Sequence, residues 1–96
     1  MPTTWEWDES KAKANLAKHG VSFPLARLIF EDIYLLSLPD PLPSDERWRT
    51  LGKVGGVVLF VVHTAPECRH EGGEEIGRII SARKATASER RAYEDG

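Results

Sequence analysis

Residues 47–64 read RWRTLGKVGGVVLFVVHT, and this stretch decides the fold class. Its first part, 47–53, alternates between a cationic face and a face of apolar or small residues, the period-two pattern of a strand. Gly55 and Gly56 supply the positive φ angles of a tight hairpin turn. Residues 57–64 follow and are apolar on both faces, which is typical of a central strand. The stretch therefore predicts an antiparallel hairpin in the middle of a sheet.

The flanking segments predict helices and further strands. Residues 9–19 predict a helix bounded by an aspartate N-cap and a glycine at its C-terminal end. Residues 23–30 predict a second helix, with Leu25, Leu28 and Ile29 spaced as its buried stripe. The remaining predicted elements are a short strand or extended arm at 3–7, strands at 33–38 and 76–84, a proline-rich loop at 39–43, a polar loop at 65–75 and a capping-box helix at 86–94. This order predicts an α+β domain, an antiparallel four-stranded meander with two N-terminal helices and a C-terminal helix.

Length and composition exclude several classes of protein. A chain of 96 residues is expected to form one domain over 1–96. Its 13 basic and 15 acidic residues exclude a uniformly basic nucleic-acid binder. The longest apolar run, Val57–Val62, is far too short to span a membrane, and the acidic start does not resemble a secretory signal. The single cysteine, Cys68, cannot form an internal disulfide, so we expect a cytoplasmic protein.

The second face of the predicted sheet raises a question of coverage. Because residues 57–62 are apolar on both faces, the two N-terminal helices can bury only one of them. The other face must be covered by the C-terminal helix or by a partner, since a large apolar patch is seldom left in water.

Arginines provide the best functional signal. Guanidinium groups pair bidentately with phosphate, and residues 76–91 carry five basic side chains against one acid. Arg78 and Arg83 are five positions apart, so they face opposite sides of an unbroken strand unless a bulge intervenes. His63 ends an apolar strand, where a polar side chain must find a partner or reach solvent. Two interpretations remain open, a polyanion site or a solvated face paired with surface carboxylates.

Other kinds of site are not predicted. His63, Cys68 and His70 lack the paired spacing of a structural zinc site, so no metal is expected. The glycines form no phosphate-binding loop, and no serine nucleophile elbow is present. We therefore expect no cofactor.

Several blocks of the chain resemble toxins of the BrnT type. They occur in the family's order and span nearly the whole chain. The blocks are Trp5-Glu6-Trp7-Asp8, then Lys11, Asn15 and Lys18-His19-Gly20-Val21-Ser22-Phe23, then Glu46-Arg47-Trp48 with Leu51-Gly52, then Val61-Val62-His63-Thr64, and last Arg78-Ile79-Ile80-Ser81-Ala82-Arg83-Lys84-Ala85-Thr86 with Glu89-Arg90-Arg91-Ala92-Tyr93-Glu94. Within the last block, Gly77 precedes Arg78 and is a candidate for the bulge that would re-aim it.

This resemblance implies a RelE/ParE-like fold and the toxin of a type II toxin–antitoxin system. The implied activity is metal-independent endoribonuclease cleavage of mRNA, in which the 2′-hydroxyl attacks the adjacent phosphate and translation and growth stop. The implied partner is a BrnA-like antitoxin with a ribbon-helix-helix domain, and operator DNA is bound only through the complex. Alternatives are a degenerate, non-catalytic interaction module and a ParE-like gyrase poison.

The same hypothesis gives each candidate residue a role. His63 would transfer protons, and Arg47, Arg78 and Arg83 would stabilise the charge that develops on phosphorus. Tyr93 would pack in the core or stack on a base. The residues expected to contact the RNA backbone are Lys18, Arg49, Lys84, Arg90 and Arg91.

Overall fold

The computed structural model describes residues 3–40, 47–68 and 73–95. Parts of the predicted proline-rich and polar loops, including His70, lie outside the described residues. In chain order the elements are β1 (Thr3–Glu6), α1 (Glu9–His19), α2 (Phe23–Ala26), a 3-10 helix (Arg27–Glu31), β2 (Leu36–Pro39), β3 (Arg47–Val54), β4 (Val57–Thr64), β5 (Glu67–Cys68), β6 (Glu75–Lys84) and α3 (Ala87–Asp95).

The strands form one mixed sheet in the order β1-β6-β4-β3-β2. The predicted strands pair antiparallel, β2 with β3, β3 with β4 and β4 with β6. The prediction of a purely antiparallel four-stranded sheet needs correction, because β1 pairs parallel with β6 and the short β5 also pairs with it. Strand β1 occupies the edge of β6 opposite β4. Strand β5 pairs with residues 75–76, where β6 extends past the end of β4. The α+β class is confirmed.

Local capping signals place the helix ends and the hairpin turn. Helix α1 has the predicted bounds, and the carboxylate of Asp8 accepts a hydrogen bond from the backbone N–H of Lys11 at 3.1 Å. The β3–β4 turn uses Gly55 and Gly56 with φ of 56° and 86°, a conformation that favours glycine. Helix α3 begins with the predicted capping box, in which Thr86 and Glu89 each accept from the other's backbone N–H.

The second helix departs from its prediction. It is a single α-helical turn that tightens into the 3-10 helix, and its buried residues are Phe23, Ala26 and Ile29. The predicted stripe fails because Leu25 is 42% exposed. A helix with three residues per turn brings every third side chain to one side, so the buried spacing becomes i, i+3, i+6.

The hydrophobic core lies between the helices and one face of the sheet, which we call the inner face. Inner-face residues are Thr50, Leu59, Val61, His63, Ile79 and Ala82, and the helices contribute Val21, Phe23, Ala26 and Ile29. Buried Asn15 joins α1 to β6, because its amide donates to the carbonyls of Val21 and Ala82 at 3.0 and 2.8 Å and accepts from the Ala82 N–H.

Helix α3 lies on the opposite face, which we call the outer face and which carries Arg47, Arg49, Leu51, Phe60 and Arg83. No residue of this helix is buried. An apolar groove of about 180 Å³ remains between the helix and the sheet, with Leu36, Leu38, Leu51 and Phe60 in its wall. The C-terminal helix therefore covers the second apolar face only in part.

Candidate functional site

A bulge in β6 decides where the arginines point. Val62 lies opposite Ser81 and His63 lies opposite Ile79, so β6 has one extra residue, Ile80, at this position. An extra residue shifts the alternation of side chains by one, and Arg78 and Arg83 therefore both point to the outer face. The bulge that the sequence only suggested is therefore present in β6.

The glycine expected to form this bulge has another role. Gly77 lies opposite Trp5 on the neighbouring strand, and a Cβ at this position would overlap Cζ3 of Trp5. The close approach of the indole therefore requires a residue without a side chain. The prediction that Gly77 forms the bulge was wrong, because the register shift occurs at Ile80.

The outer face gathers four arginines from two strands. Arg47 and Arg49 lie opposite Thr64 and Val62, which alternate with the inner-face His63. The backbone N–H of Arg78 donates to the Thr64 hydroxyl at 3.0 Å, so Thr64 lies between Arg47 on β3 and Arg78 on β6. This arrangement places cationic side chains on both sides of the end of β4.

The arginines differ in their contacts. Arg78 is half exposed and pairs with Glu6 at 3.2 Å. Arg83 makes two hydrogen bonds to Glu89, at 2.8 and 2.9 Å, and its guanidinium lies 4.1 Å from the ring centre of Phe60. The Glu89 carboxylate raises the pKa of Arg83, and the Arg83 guanidinium lowers the pKa of Glu89.

Arg49 differs from these paired arginines in one respect. Its Nε atom is buried and has no hydrogen-bond partner within the part of the chain that the structure describes. The side chain borders the apolar groove beneath α3. A buried donor without a partner is costly, so this N–H can donate a hydrogen bond to an incoming acceptor at little further cost of desolvation.

His63 lies on the inner face, away from these arginines. The residue is 5% exposed, and its ring meets Trp5 and Phe30 edge-on, with ring centres 5.1 and 4.9 Å away. Trp5 and Phe30 stack on each other at 3.9 Å. The predicted catalytic set is therefore divided, with the arginines on one face of the sheet and the imidazole on the other.

Hydrogen bonds fix the tautomer of the neutral His63 ring. Nδ1 donates to the Thr64 carbonyl at 2.8 Å, because a carbonyl oxygen can only accept. Nε2 is then the acceptor for the Thr50 hydroxyl at 2.6 Å, and Thr50 in turn accepts from Ser37 at 2.6 Å. Burial lowers the pKa of His63, and the bond to Thr64 opposes this shift only in part. The imidazole is therefore neutral and has a partner on each nitrogen.

The residues predicted to contact RNA are spread over three regions. Arg49 lies on the outer face, and Arg90 and Arg91 are exposed on α3, which packs against that face. Lys84 is exposed at the end of β6 and lies opposite the inner-face Leu59. Lys18 is exposed in the last turn of α1, in the helical layer on the other side of the sheet.

Tyr93 neither packs in the core nor stands free for stacking. Its hydroxyl donates to the Asp32 carboxylate at 2.5 Å, which raises the pKa of Tyr93 to about 12 and lowers the pKa of Asp32. The bond attaches the C-terminal half of α3 to the segment before β2. With the Arg83–Glu89 pair near its N-terminus, it gives the helix two polar attachments to the rest of the fold.

A cavity of about 590 Å³ opens beside His63 and was not foreseen from the sequence. Arg27 and Glu31, one helical turn apart, stand exposed at its rim. The available signal was their spacing of four residues, but the predicted second helix ended at residue 30, one residue before Glu31. The residues that line the cavity are Thr3, Trp5, Arg27, Phe30, Glu31, Ser37, His63 and Pro66.

Among residues 3–40, 47–68 and 73–95, no three His, Cys, Asp or Glu side chains are grouped to hold a metal ion. None of the helices in the described part of the chain has the length and hydropathy of a membrane span.

Comparison with known proteins yields one family. A family model described as "Ribonuclease toxin, BrnT, of type II toxin-antitoxin system" matches residues 7–89, most of the chain. No curated protein matches the sequence.

Proposed function

Because the chain belongs to the BrnT family of ribonuclease toxins from type II toxin–antitoxin systems, we propose that it is a metal-independent endoribonuclease with a RelE/ParE-like fold. Its substrate is mRNA, and cleavage inhibits translation and growth. The observation that supports this proposal best is that Arg47, Arg49, Arg78 and Arg83 all lie on the outer face of the sheet.

The outer face suits a phosphodiester chain. Arg47 and Arg78 belong to strands separated only by β4, so their backbones lie about 10 Å apart. Guanidinium groups bind phosphate oxygens without regard to base sequence, and they align the chain as they bind it. The ion pairs of Arg78 and Arg83 do not prevent this, since Glu6 and Glu89 each remain partly exposed and a phosphate can compete for the same donors.

The reaction is attack of a ribose 2′-oxygen on the adjacent phosphorus. The P–O5′ bond breaks, leaving a 2′,3′-cyclic phosphate and a 5′-hydroxyl, and the proton lost from the 2′-hydroxyl is balanced by the one gained at O5′. Arg47, Arg78 and Arg83 stabilise the negative charge on the phosphoryl oxygens in the transition state. This negative charge is present both when the 2′-hydroxyl loses its proton and when O5′ gains one. Its stabilisation is therefore the main contribution of the outer face.

For His63 we propose a positioning role in place of direct proton transfer. Its ring is buried on the inner face, and both nitrogens are engaged. The bond from Nδ1 to the Thr64 carbonyl holds the end of β4, where Thr64 separates Arg47 from Arg78. Loss of the ring should therefore disturb the arginine geometry. A proton-transfer role would instead make cleavage depend on the titration of His63 itself.

The test is cleavage of a single-stranded RNA by purified protein, with and without a chelator. We expect cleavage in both conditions and 2′,3′-cyclic phosphate ends. Arg47→Ala and Arg78→Ala should each lower the rate about 100-fold. The matched control is Lys13→Ala, which removes the same charge from an exposed position on α1.

Three results would contradict the proposal. Loss of cleavage with the chelator would overturn metal independence. Equal rates for the arginine and control variants would overturn the outer-face site. RNA that stays intact would overturn the ribonuclease activity and favour the non-catalytic module. If supercoiling assays then detected inhibition of gyrase, the ParE-like alternative would be favoured instead.

We also propose that the antitoxin is BrnA-like, carries a ribbon-helix-helix domain and brings the complex to operator DNA. What supports a protein partner on this side of the fold is exposed apolar surface near α3 and β2, where Ile33 is 85%, Tyr34 74% and Leu38 49% exposed. Co-purification with the product of an adjoining reading frame tests the pairing. Leu38→Ala should weaken the complex, whereas Leu16→Ala, a change at an equally exposed leucine on α1, should not.

A further inference from the structure

The cavity beside His63 has a wall suited to a flat ligand. The stacked rings of Trp5 and Phe30 are half-buried and border the cavity, and the edge-on imidazole of His63 holds them in place. Its volume, about 590 Å³, is within the usual range for small-molecule sites. Unstacked RNA bases are commonly bound against aromatic rings of this kind, and such stacking tolerates any base.

The rim of the cavity adds two charged side chains, Arg27 and Glu31. Arg27 and Glu31 are exposed, and within the described part of the chain neither side chain has a hydrogen bond or ion pair. A guanidinium and a carboxylate that do not satisfy each other are available to a ligand that offers both acceptors and donors. The stacking wall alone would not select a base, so selection must come from these two groups.

Guanine is the base whose edges match this pair most completely. Its O6 and N7 accept two hydrogen bonds from a guanidinium, and its N1–H and N2–H₂ groups donate two to a carboxylate. Adenine reverses this pattern, because its N6 amino group would face Arg27 and its N1 lone pair would face Glu31. Uracil and cytosine offer one donor group to the carboxylate, so they match only in part.

From this complementarity, we propose that the cavity is a base-binding subsite that takes a guanine of the RNA and so determines where the toxin cuts. The inference rests on the proposed ribonuclease function. Trp5 and Phe30 supply the stacking surface, Glu31 binds the Watson–Crick edge, and Arg27 binds O6 and N7. The subsite is separate from the outer-face arginines, which bind the backbone without base preference.

Binding of mononucleotides tests the subsite without any need for cleavage. Guanosine 3′-monophosphate and its adenosine, uridine and cytidine counterparts are titrated into the purified full chain. The readout is the NMR signal of the Trp5 indole N–H, identified by its loss in Trp5→Phe. We expect the guanosine nucleotide to shift this signal and to bind about 10-fold more tightly than the others. Glu31→Gln should remove the preference, and the matched control Glu94→Gln, an exposed acid on α3, should keep it.

Cleavage mapping on an RNA with all four bases separates the two proposals. Equal binding of the four nucleotides, or an unmoved Trp5 signal, overturns the subsite even if the RNA is cut. Guanosine preference that depends on Glu31 supports the subsite even if the RNA stays intact, and in that case only the ribonuclease function fails. Cuts clustered beside guanines in the parent protein, and dispersed in Glu31→Gln, support both.

Discussion

The hydroxyl of Thr50 donates a 2.6 Å hydrogen bond to Nε2 of His63 across the β3–β4 pair. Together with the bond from Nδ1 to Thr64, it satisfies both nitrogens of a ring that is almost fully buried. A neutral imidazole with two partners can lie among aromatic side chains without an unpaired polar atom. Through these two bonds, His63 ties the end of β4 to β3.

Replacing Thr50 with valine should destabilise the fold by about 1–3 kcal/mol, because Nε2 of His63 is left buried without a donor. Urea unfolding measures the free energy. Ser37→Ala removes the outer hydroxyl of the same chain of bonds, where solvent can substitute, and should cost less than about 1 kcal/mol. Equal losses of unfolding free energy in the two variants would show that the Thr50–His63 bond contributes no more to stability than the Ser37–Thr50 bond.

Stability should fall as the pH drops below about 6.5, the ordinary pKa of histidine. Burial lowers the pKa of His63 in the folded chain, so below pH 6.5 the unfolded chain binds a proton that the folded chain does not. The slope is at most about 1.4 kcal/mol per pH unit, and it persists down to the lowered folded-state pKa. Unfolding midpoints from pH 5 to 8 measure it. His63→Gln should lose this component, whereas His19→Gln should keep it.

Glu89→Gln should destabilise α3 and its attachment by about 1 kcal/mol at neutral pH, given the partial exposure of the pair with Arg83. The lowered pKa of Glu89 means that this contribution is present above its ordinary value and is lost as the pH falls through the folded-state pKa. The parent and the variant should therefore converge in acid. Amide exchange in α3 provides the measurement, with Glu94→Gln as the control. A constant difference at all pH values would contradict the ionic origin.

Gly77→Ala should cost about 1–3 kcal/mol, because the new methyl group would overlap the Trp5 ring. Thermal or urea unfolding detects the loss. Ser81→Ala, a change at another small residue of β6, should have little effect. A smaller side chain in place of Trp5 should relieve the clash. Trp5→Leu should therefore lower the free energy of unfolding less in the Gly77→Ala protein than in the parent. Additive losses would mean that the strain arises elsewhere.

RNA binding should become less dependent on salt concentration when an outer-face arginine is removed. For a single strand, each phosphate contact contributes about 0.7 to the slope of log K against log salt concentration. Arg49→Ala and Arg78→Ala should each reduce the slope by about this amount. Lys18→Ala should leave it unchanged, because Lys18 lies in the last turn of α1 and lines neither the cavity beside His63 nor the groove on the outer face. A reduced slope for Lys18→Ala alone would place the RNA backbone against α1.

Much of the fold follows from local patterns. The bounds of α1, the Gly55–Gly56 turn, the central position of β4 and the capping box of α3 depend on residues close together in the chain, and all four predictions are confirmed. The pairing of β1 with β6 could not be read in this way. It joins Trp5 to Gly77 across most of the sequence, and neither segment alone indicates whether the two strands run parallel.

The candidate site likewise combines features that local sequence predicted with features that only the tertiary structure set. The residue types alone indicated an excess of arginine near the C-terminus and a histidine at the end of an apolar strand, because composition and period are local properties. Only the tertiary structure decided that Ile80 shifts the alternation, that Arg78 and Arg83 share the outer face, and that His63 turns away from them toward Trp5 and Phe30. One inserted residue reverses every later side chain on a strand, and which residue bulges depends on the partner strand's register.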